Sequence, residues 1–390
     1  MEPMDKTTRK TRAIAGLAAI AAGAIAAVVP MVRADAVTVA SRISGNDRYG
    51  TAAAISAATF SPNVPVAYIA TGADYPDALA AASPAGRAGG PVLLTQASSL
   101  PSSTTSELTR LKPAKIIVLG GTSSVNQSVQ DSLTQYTASN TVAAVTRIAG
   151  VDRYATAAAL SAATFTAPVN TVYVASGEGF ADALAGGPAA ANAPSGGGPL
   201  LLVHAGTIPD VTKVELQRLG AQTVVVLGGT STVNESVITA LDPYSVNPVV
   251  RRSGADRYLT AVAISSAGFP TSAPTVYLAT GAGFSDALAG GPAAGFVHGP
   301  MLLTQRDCIP PAVNDEITRL NPSKLIILGG TSSVSDLVLA RTVCTPTTTT
   351  SAPVPSVPTT PTLPGGFNPS QYCPMGGFTS VPSGVPNPCP

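Results

Sequence analysis

Hydrophobic and polar positions follow one scheme three times along this chain. An Ala-rich helical stretch (Thr51 to Phe60, Thr156 to Phe165, Thr260 to Phe269) precedes a short β-rich run (Val66 to Ala70, Thr171 to Ala175, Thr275 to Ala279). Each run breaks at Thr71-Gly72, Ser176-Gly177 or Thr280-Gly281, and a second helix is predicted near Asp77-Ala78-Leu79, Asp182-Ala183-Leu184 and Asp286-Ala287-Leu288. A continuous apolar strand follows proline (Pro91-Val92-Leu93-Leu94, Pro199-Leu200-Leu201-Leu202, Pro300-Met301-Leu302-Leu303), then an amphipathic helix ending near Arg110, Arg218 and Arg319. A cation there suits the negative end of the helix dipole. The last strand runs into Gly120-Gly121-Thr122-Ser123, Gly228-Gly229-Thr230-Ser231 and Gly329-Gly330-Thr331-Ser332, before another helix. Apolar strands alternating with helices of this length predict an α/β unit whose mostly parallel sheet is covered on both faces.

Each copy opens on one signature: Arg42-Ile43-Ser44-Gly45-Asn46-Asp47-Arg48-Tyr49, then Arg147-Ile148-Ala149-Gly150-Val151-Asp152-Arg153-Tyr154, then Arg251-Arg252-Ser253-Gly254-Ala255-Asp256-Arg257-Tyr258. The repeating unit is about a hundred residues, a domain-sized length. Asp47, Asp152 and Asp256 stand where they cap or charge the first turn of the Ala-rich helix. The predicted organisation is a leader over 1–36, repeats over 37–141, 142–246 and 247–344, a Pro/Thr-rich linker over 345–364 and a short Cys-containing tail over 365–390.

The leader reads from basic residues (Lys6, Arg9, Lys10, Arg12) through an apolar run from Ala13 to Val29 to Ala34-Asp35-Ala36. That order is the pattern of a secretory signal peptide cleaved after Ala36; a retained anchor is the competing reading. No later stretch is long and apolar enough to span a bilayer. The sequence carries 22 Lys+Arg against 21 Asp+Glu. Such near-neutrality persists without the leader and gives no support to a nucleic-acid binder steered by bulk charge. All four cysteines lie late, at Cys308, Cys344, Cys373 and Cys389. In an exported chain they invite disulfides; sequence order suggests Cys308 with Cys344 and Cys373 with Cys389, among three possible connectivities. No Cys-x-x-Cys pair or nearby His gives metal-ligand spacing. The tail's Leu363-Pro364-Gly365-Gly366 lacks the Thr-Gly, apolar stretch and basic cluster of a sortase signal.

Arg-x-x-Gly-x-Asp-Arg-Tyr, Gly-x-x-x-x-Asp-Ala-Leu, Pro-x-Leu-Leu and Leu-Gly-Gly-Thr recur in that order in three copies behind the leader. Over residues 40 to 344 the chain resembles the type 2 cell wall-binding repeat family of Gram-positive bacteria. The resemblance implies flavodoxin-like or Toprim-like α/β modules packed around a pseudo-threefold axis. It also implies non-covalent attachment of an exported protein to an anionic wall polymer, teichoic-acid-like or another secondary wall polysaccharide. The partner is then that polymer, at the cell surface, with no nucleic acid, no membrane once the leader is removed, no cofactor, and a monomer carrying the threefold repeat internally. In the family the Leu-Leu segment is implicated in polymer binding, which carries over to Leu93, Leu94, Leu201, Leu202, Leu302 and Leu303; on their own residues these read first as core strand, supporting a site from beneath.

Local chemistry adds the arginines. They outnumber lysines and recur at 42/147/251, 48/153/257 and 110/218/319. A guanidinium grips phosphate or carboxylate through two parallel hydrogen bonds. For Arg48, Arg153 and Arg257 the competing reading is an ion pair with a neighbouring Asp or a contact between repeats. Arg42, Arg147 and Arg251, on the entering strand, favour structural roles. Asp77, Asp182 and Asp286 read as helix N-caps before catalytic acids. The Gly-Gly-Thr-Ser turn admits a phosphate cradle, but it lacks Gly-x-Gly-x-x-Gly and any following Lys. An ordinary turn with Thr or Ser capping the next helix is preferred. Catalysis finds little footing: the two histidines, His204 and His298, sit at unrelated places, and no Gly-x-Ser-x-Gly occurs. Paired carboxylates such as Asp74 with Asp77, or Glu178 with Asp182, meet Ala282 and Gly283 in the third copy. The chain is therefore read as a non-enzymatic anchor, with a wall-modifying hydrolase or a solute-binding protein as the alternative.

Overall fold

The computed structural model describes residues 39–345. The leader, the rest of the Pro/Thr-rich segment and the tail with Cys373 and Cys389 lie outside the described residues.

The first copy runs β1 (Val39–Ile43), α1 (Arg48–Thr59), β2 (Val66–Thr71), a 3-10 turn Pro76–Ala81 leading into α2 (Ala82–Ala88), β3 (Val92–Thr95), α3 (Ser102–Leu111), β4 (Lys115–Leu119) and α4 (Gln127–Ser132). The second repeats it as β5 (Val145–Ile148), α5 (Arg153–Thr164), β6 (Thr171–Ser176), α6 (Ala181–Ala191), β7 (Leu200–Val203), α7 (Asp210–Leu219), β8 (Thr223–Leu227) and α8 (Glu235–Leu241). The third comprises β9 (Val250–Arg252), α9 (Arg257–Gly268), β10 (Thr275–Thr280), α10 (Ser285–Phe296), β11 (Met301–Thr304), α11 (Pro311–Leu320), β12 (Lys324–Leu328) and α12 (Asp336–Leu339).

Local chemistry explains the main boundaries. Asp47, Asp152 and Asp256 accept from the backbone N–H of Gly50, Ala155 and Leu259, so the first helix of each copy is capped as its sequence predicts. The amphipathic helices stop at Lys112, Gly220 and Asn321, each in the left-handed conformation that ends a helix.

Three four-stranded sheets result, ordered β3-β2-β4-β5, β7-β6-β8-β9 and β11-β10-β12-β1, with every pairing parallel. The fourth strand of each sheet comes from the next copy. Arg147 of β5 lies opposite Val118, and Arg251 of β9 opposite Val226. Arg42 of β1 lies opposite Ile327, so the first strand of the chain completes the last sheet and the ring closes. The sequence marked the entering strands but not their partners.

The second helices, α2, α6 and α10, meet at the pseudo-threefold axis and are buried nearly all round. Their small residues permit that approach: a Cβ on Gly187 or Gly291 would lie 2.5 or 2.8 Å from the Ala82 methyl. One apolar core spans the three copies around this contact. In the third copy Cys308 and Cys344 are disulfide-bonded, tying the loop after β11 to the end of the described chain. No helix among the described residues is long and apolar enough to cross a membrane.

Candidate functional site at the repeat boundaries

In each sheet the chain leaves the inner strand (β2, β6 or β10) to one side and returns on the other. The carboxyl ends of β6 and β8 therefore flank a topological switch point, the place where open parallel sheets present a crevice. Over this crevice lies the signature turn of the following copy. Between the second and third copies the two enclose a cavity of about 400 Å³, bordered by Tyr75, Phe180, Asp182, Thr232, Arg257 and Thr260.

Arg48, Arg153 and Arg257 begin the first helices and each donates from Nη1 to a carbonyl of its own copy: Gly72, Gly177 and Gly281. The guanidinium is thereby aimed across the boundary, over an aromatic ring of the preceding copy. Arg153 stands 5.9 Å from the Tyr75 centroid, Arg257 5.7 Å from Phe180, and Arg48 5.7 Å from Phe284. These are cation–π distances. The three rings pack on one another at the axis, with centroids 5.4, 5.6 and 6.3 Å apart. The sequence reading missed this triad. Its signal was an aromatic two residues before each Asp-Ala-Leu.

Asp77, Asp182 and Asp286 are not N-caps. The cap positions are Tyr75, Phe180 and Phe284, which make no side-chain capping bond, and each Asp is the second residue of its helix. There the carboxylate turns under the Gly-Gly turn. Asp77 accepts from Ser124 (2.8 Å) and from Thr156 of the next copy (3.1 Å). Asp182 is held above the usual carboxylate range by burial, an effect opposed by the Thr232 hydroxyl and by Arg257. Asp286 is raised in the same way, against Ser333 and Arg48. Gly120, Gly228 and Gly329 have φ of +89°, +105° and +96°, and a Cβ there would lie 2.2 to 2.4 Å from the Asp Oδ2. Only glycine fits both the left-handed backbone and the carboxylate beneath it.

Neither Thr nor Ser of that turn caps the next helix. The caps are Asn126, Asn234 and Ser335, further along.

Arg42, Arg147 and Arg251 brace the boundary from the sheet side. Each donates from Nη1 to the first glycine carbonyl of the preceding copy's turn: Gly329 (2.7 Å), Gly120 (2.8 Å) and Gly228 (2.7 Å). Their other nitrogens reach Asp336, Gln130 and Glu235. Leu93, Leu94, Leu201, Leu202, Leu302 and Leu303 are all buried in the core beside the inner strands. They are 0–1% exposed and so offer a polymer almost no surface.

One feature is private to the second copy. His204 Nδ1 lies 2.9 Å from the Tyr154 hydroxyl and 3.2 Å from Glu178, where the other copies carry Gln96 or Gln305 opposite Ala73 or Ala282. Among the described residues no group of three or more His, Cys, Asp and Glu is placed to hold a metal ion.

A closed ring of three α/β units that exchange strands and place an Arg, an Asp and an aromatic residue at every boundary defines an internally repeated protein. The chain belongs to the cell wall binding domain 2 family, which it matches over residues 42–130, 147–238 and 251–339. It is 30% identical over 311 residues to the N-acetylmuramoyl-L-alanine amidase LytC of Bacillus subtilis, spanning 80% of this chain and 59% of that protein. It is 29% identical over 306 residues to the amidase enhancer of the same species, covering 78% of this chain and 40% of the enhancer. The chain thus spans well under two thirds of the length of either relative. Among solved structures, Cwp6 from Clostridium difficile superposes with a TM-score of 0.70 at 23% identity, over 78% of this chain and 48% of that one. Cwp8 from the same organism gives 0.66 at 24%, over 77% and 50%. These two likenesses establish the shared fold.

Proposed function

We propose that the three repeats attach this protein non-covalently to a secondary polysaccharide of a Gram-positive cell wall, and that the polymer lies in the clefts between repeats. The observation that carries this reading is the threefold recurrence of Arg over aromatic beside an Asp that is half-buried in two copies and buried in the third, at the place in each sheet where the topology opens a crevice. Identical weak sites on one rigid ring suit a repeating polymer, because engagement of one raises the effective concentration at the next. The family's wall-binding role supports the partner class, and an anionic polymer is the form the resemblance implies. The named relatives include a wall amidase and an amidase enhancer. In the present reading the repeats contribute attachment, at the cell surface after export through the 1–36 leader.

The test is co-sedimentation of the purified protein with walls of its own species, before and after the secondary polymers are stripped by mild acid. Retention that disappears with the polymer, and that weakens when Arg48, Arg153 and Arg257 are together changed to Gln in a folded protein, is the expected outcome. Undiminished binding to stripped walls redirects the partner to peptidoglycan and overturns the proposal.

A further inference from the structure

We infer that the boundary clefts recognise the uncharged sugar hydroxyls of the wall polymer, and that its anionic groups stay outside; this rests on the attachment reading above.

The cavity between the second and third copies is richer in carboxylates than in cations. Among the described residues that border it, Arg257 is the one cation, and Glu178, Asp182 and Asp256 border the same space. Arg257 already donates to the Gly281 carbonyl and lies over the Phe180 ring, and Asp182 feels its charge after the larger effects of burial and the Thr232 hydroxyl. Asp256 is tied to the Leu259 N–H as a helix cap, while Glu178 faces His204 and the Ala205 N–H. The other boundaries carry the same residue types: Asp77 accepts from Thr156, Asp152 caps the helix that Arg153 begins, and Arg48 acts on Asp286 in a helix capped by Asp47. A phosphate or carboxylate placed there would give up its hydration next to carboxylates without meeting a net positive charge. Like-charge juxtaposition of that kind disfavours the wrong partner strongly.

A neutral sugar meets the opposite situation. Each of its hydroxyls donates and accepts, so a carboxylate oxygen accepts a hydrogen bond from one hydroxyl while a guanidinium N–H donates to the oxygen of its neighbour. Such hydrogen bonds to charged groups are the stronger kind. Thr232 and Thr260 add hydroxyls of matching type, and Tyr75 with Phe180 supplies an apolar wall for the C–H face of a ring. The volume, about 400 Å³, falls in the range of small-molecule sites.

The experiment is competition against wall co-sedimentation, using oligosaccharide released from the organism's own walls. One portion is left intact; the other is freed of phosphate by hydrofluoric acid and of carboxylate by carbodiimide reduction. The neutral fragments are expected to displace the protein as well as the intact ones, and equally well when salt is raised to about 1 M, where screening acts within about 3 Å. Asp182→Asn together with Asp286→Asn should weaken that displacement by roughly ten-fold or more. Competition by intact polyanion alone, lost at high salt, overturns the inference while leaving attachment standing. Failure of the untreated protein to sediment with walls removes the attachment reading itself. The salt series needs no variant, so it stands even if the double Asn protein fails to fold.

Discussion

At the residue scale the most repeated device is an ion pair away from the clefts, between a buried carboxylate and an arginine about one third exposed. Glu107, Glu215 and Glu316 are almost fully buried on the amphipathic helices, and each accepts two hydrogen bonds from the arginine three residues on, Arg110, Arg218 or Arg319. The same carboxylates accept from Ser56, Ser161 and Ser265, and the arginines also donate to the carbonyls of Phe60, Phe165 and Phe269. The carboxylate beside each guanidinium pushes the arginine pKa further up. From sequence these arginines suit a helix dipole or, as one of three recurring sets, an anion; the network is not visible there because Ser56 and Glu107 are far apart in the chain. Removing Arg218 takes two charge-assisted hydrogen bonds from the buried Glu215 and leaves it with Ser161, so Arg218→Ala should cost about 2 kcal/mol, read as a lower urea midpoint with unchanged slope. Arg218→Met combined with Glu215→Leu should lose much less, because no lone charge remains. Asp182 and Asp286 add a pH dependence. Burial raises both above the ordinary 3.8, so between that value and the folded one the native state binds more protons than the unfolded chain. The stability they contribute is complete below the ordinary value and is lost as pH rises through the raised one. Relative to the starting protein, Asp182→Asn with Asp286→Asn should therefore remove part of the fall in melting temperature as pH climbs from about 4.

At the scale of elements, the helices and strands of each copy were legible because their apolar periods and capping residues are local. The exchange of strands was not. An entering strand such as Val145–Ile148 has the same neighbours in the chain whichever sheet it joins, and its partner β4 offers the same apolar edge as any other copy's last strand. What directs it is the bond from Arg147 to Gly120, whose two ends lie in different motifs of the sequence. The cleft was legible only in part for the same reason. Its arginines and aspartates stood out as recurrences, while the pairing of each Arg with the preceding copy's aromatic and Asp depends on the exchange. β1 tests this directly, since it alone is brought to its sheet from the far end of the chain. Deleting residues 39–43 leaves the Lys324–Leu328 edge of β12 open, and an open edge invites pairing with other chains. The shortened protein should melt lower and form concentration-dependent oligomers by light scattering, and a synthetic peptide covering residues 37–50 should reverse both. A shortened protein that stays as stable and as dispersed as the original would show that ring closure contributes little.

At the scale of the whole molecule, closure fixes the three clefts relative to one another, because each is built from two copies and every copy takes part in two clefts. Shared helices α2, α6 and α10 at the axis and a common core make the ring one body rather than beads on a string. For a polymer long enough to reach more than one cleft, linked sites raise affinity by roughly 10²–10⁴ over a single one. Shared between two added sites, each cleft lost should cost roughly ten- to a hundred-fold in wall affinity. Changing Arg48, Arg153 and Arg257 to Gln singly, in pairs and all together, with circular dichroism to confirm the fold, should give three singles of similar, modest effect and losses that multiply with each further cleft. The gain should show chiefly in dissociation, since a chain released by one cleft is still held by the others. If a single variant abolishes binding while the other two leave it untouched, one cleft holds the polymer alone. The cavity between the second and third copies, with Glu178 and His204 at its side, would then be the place to look first.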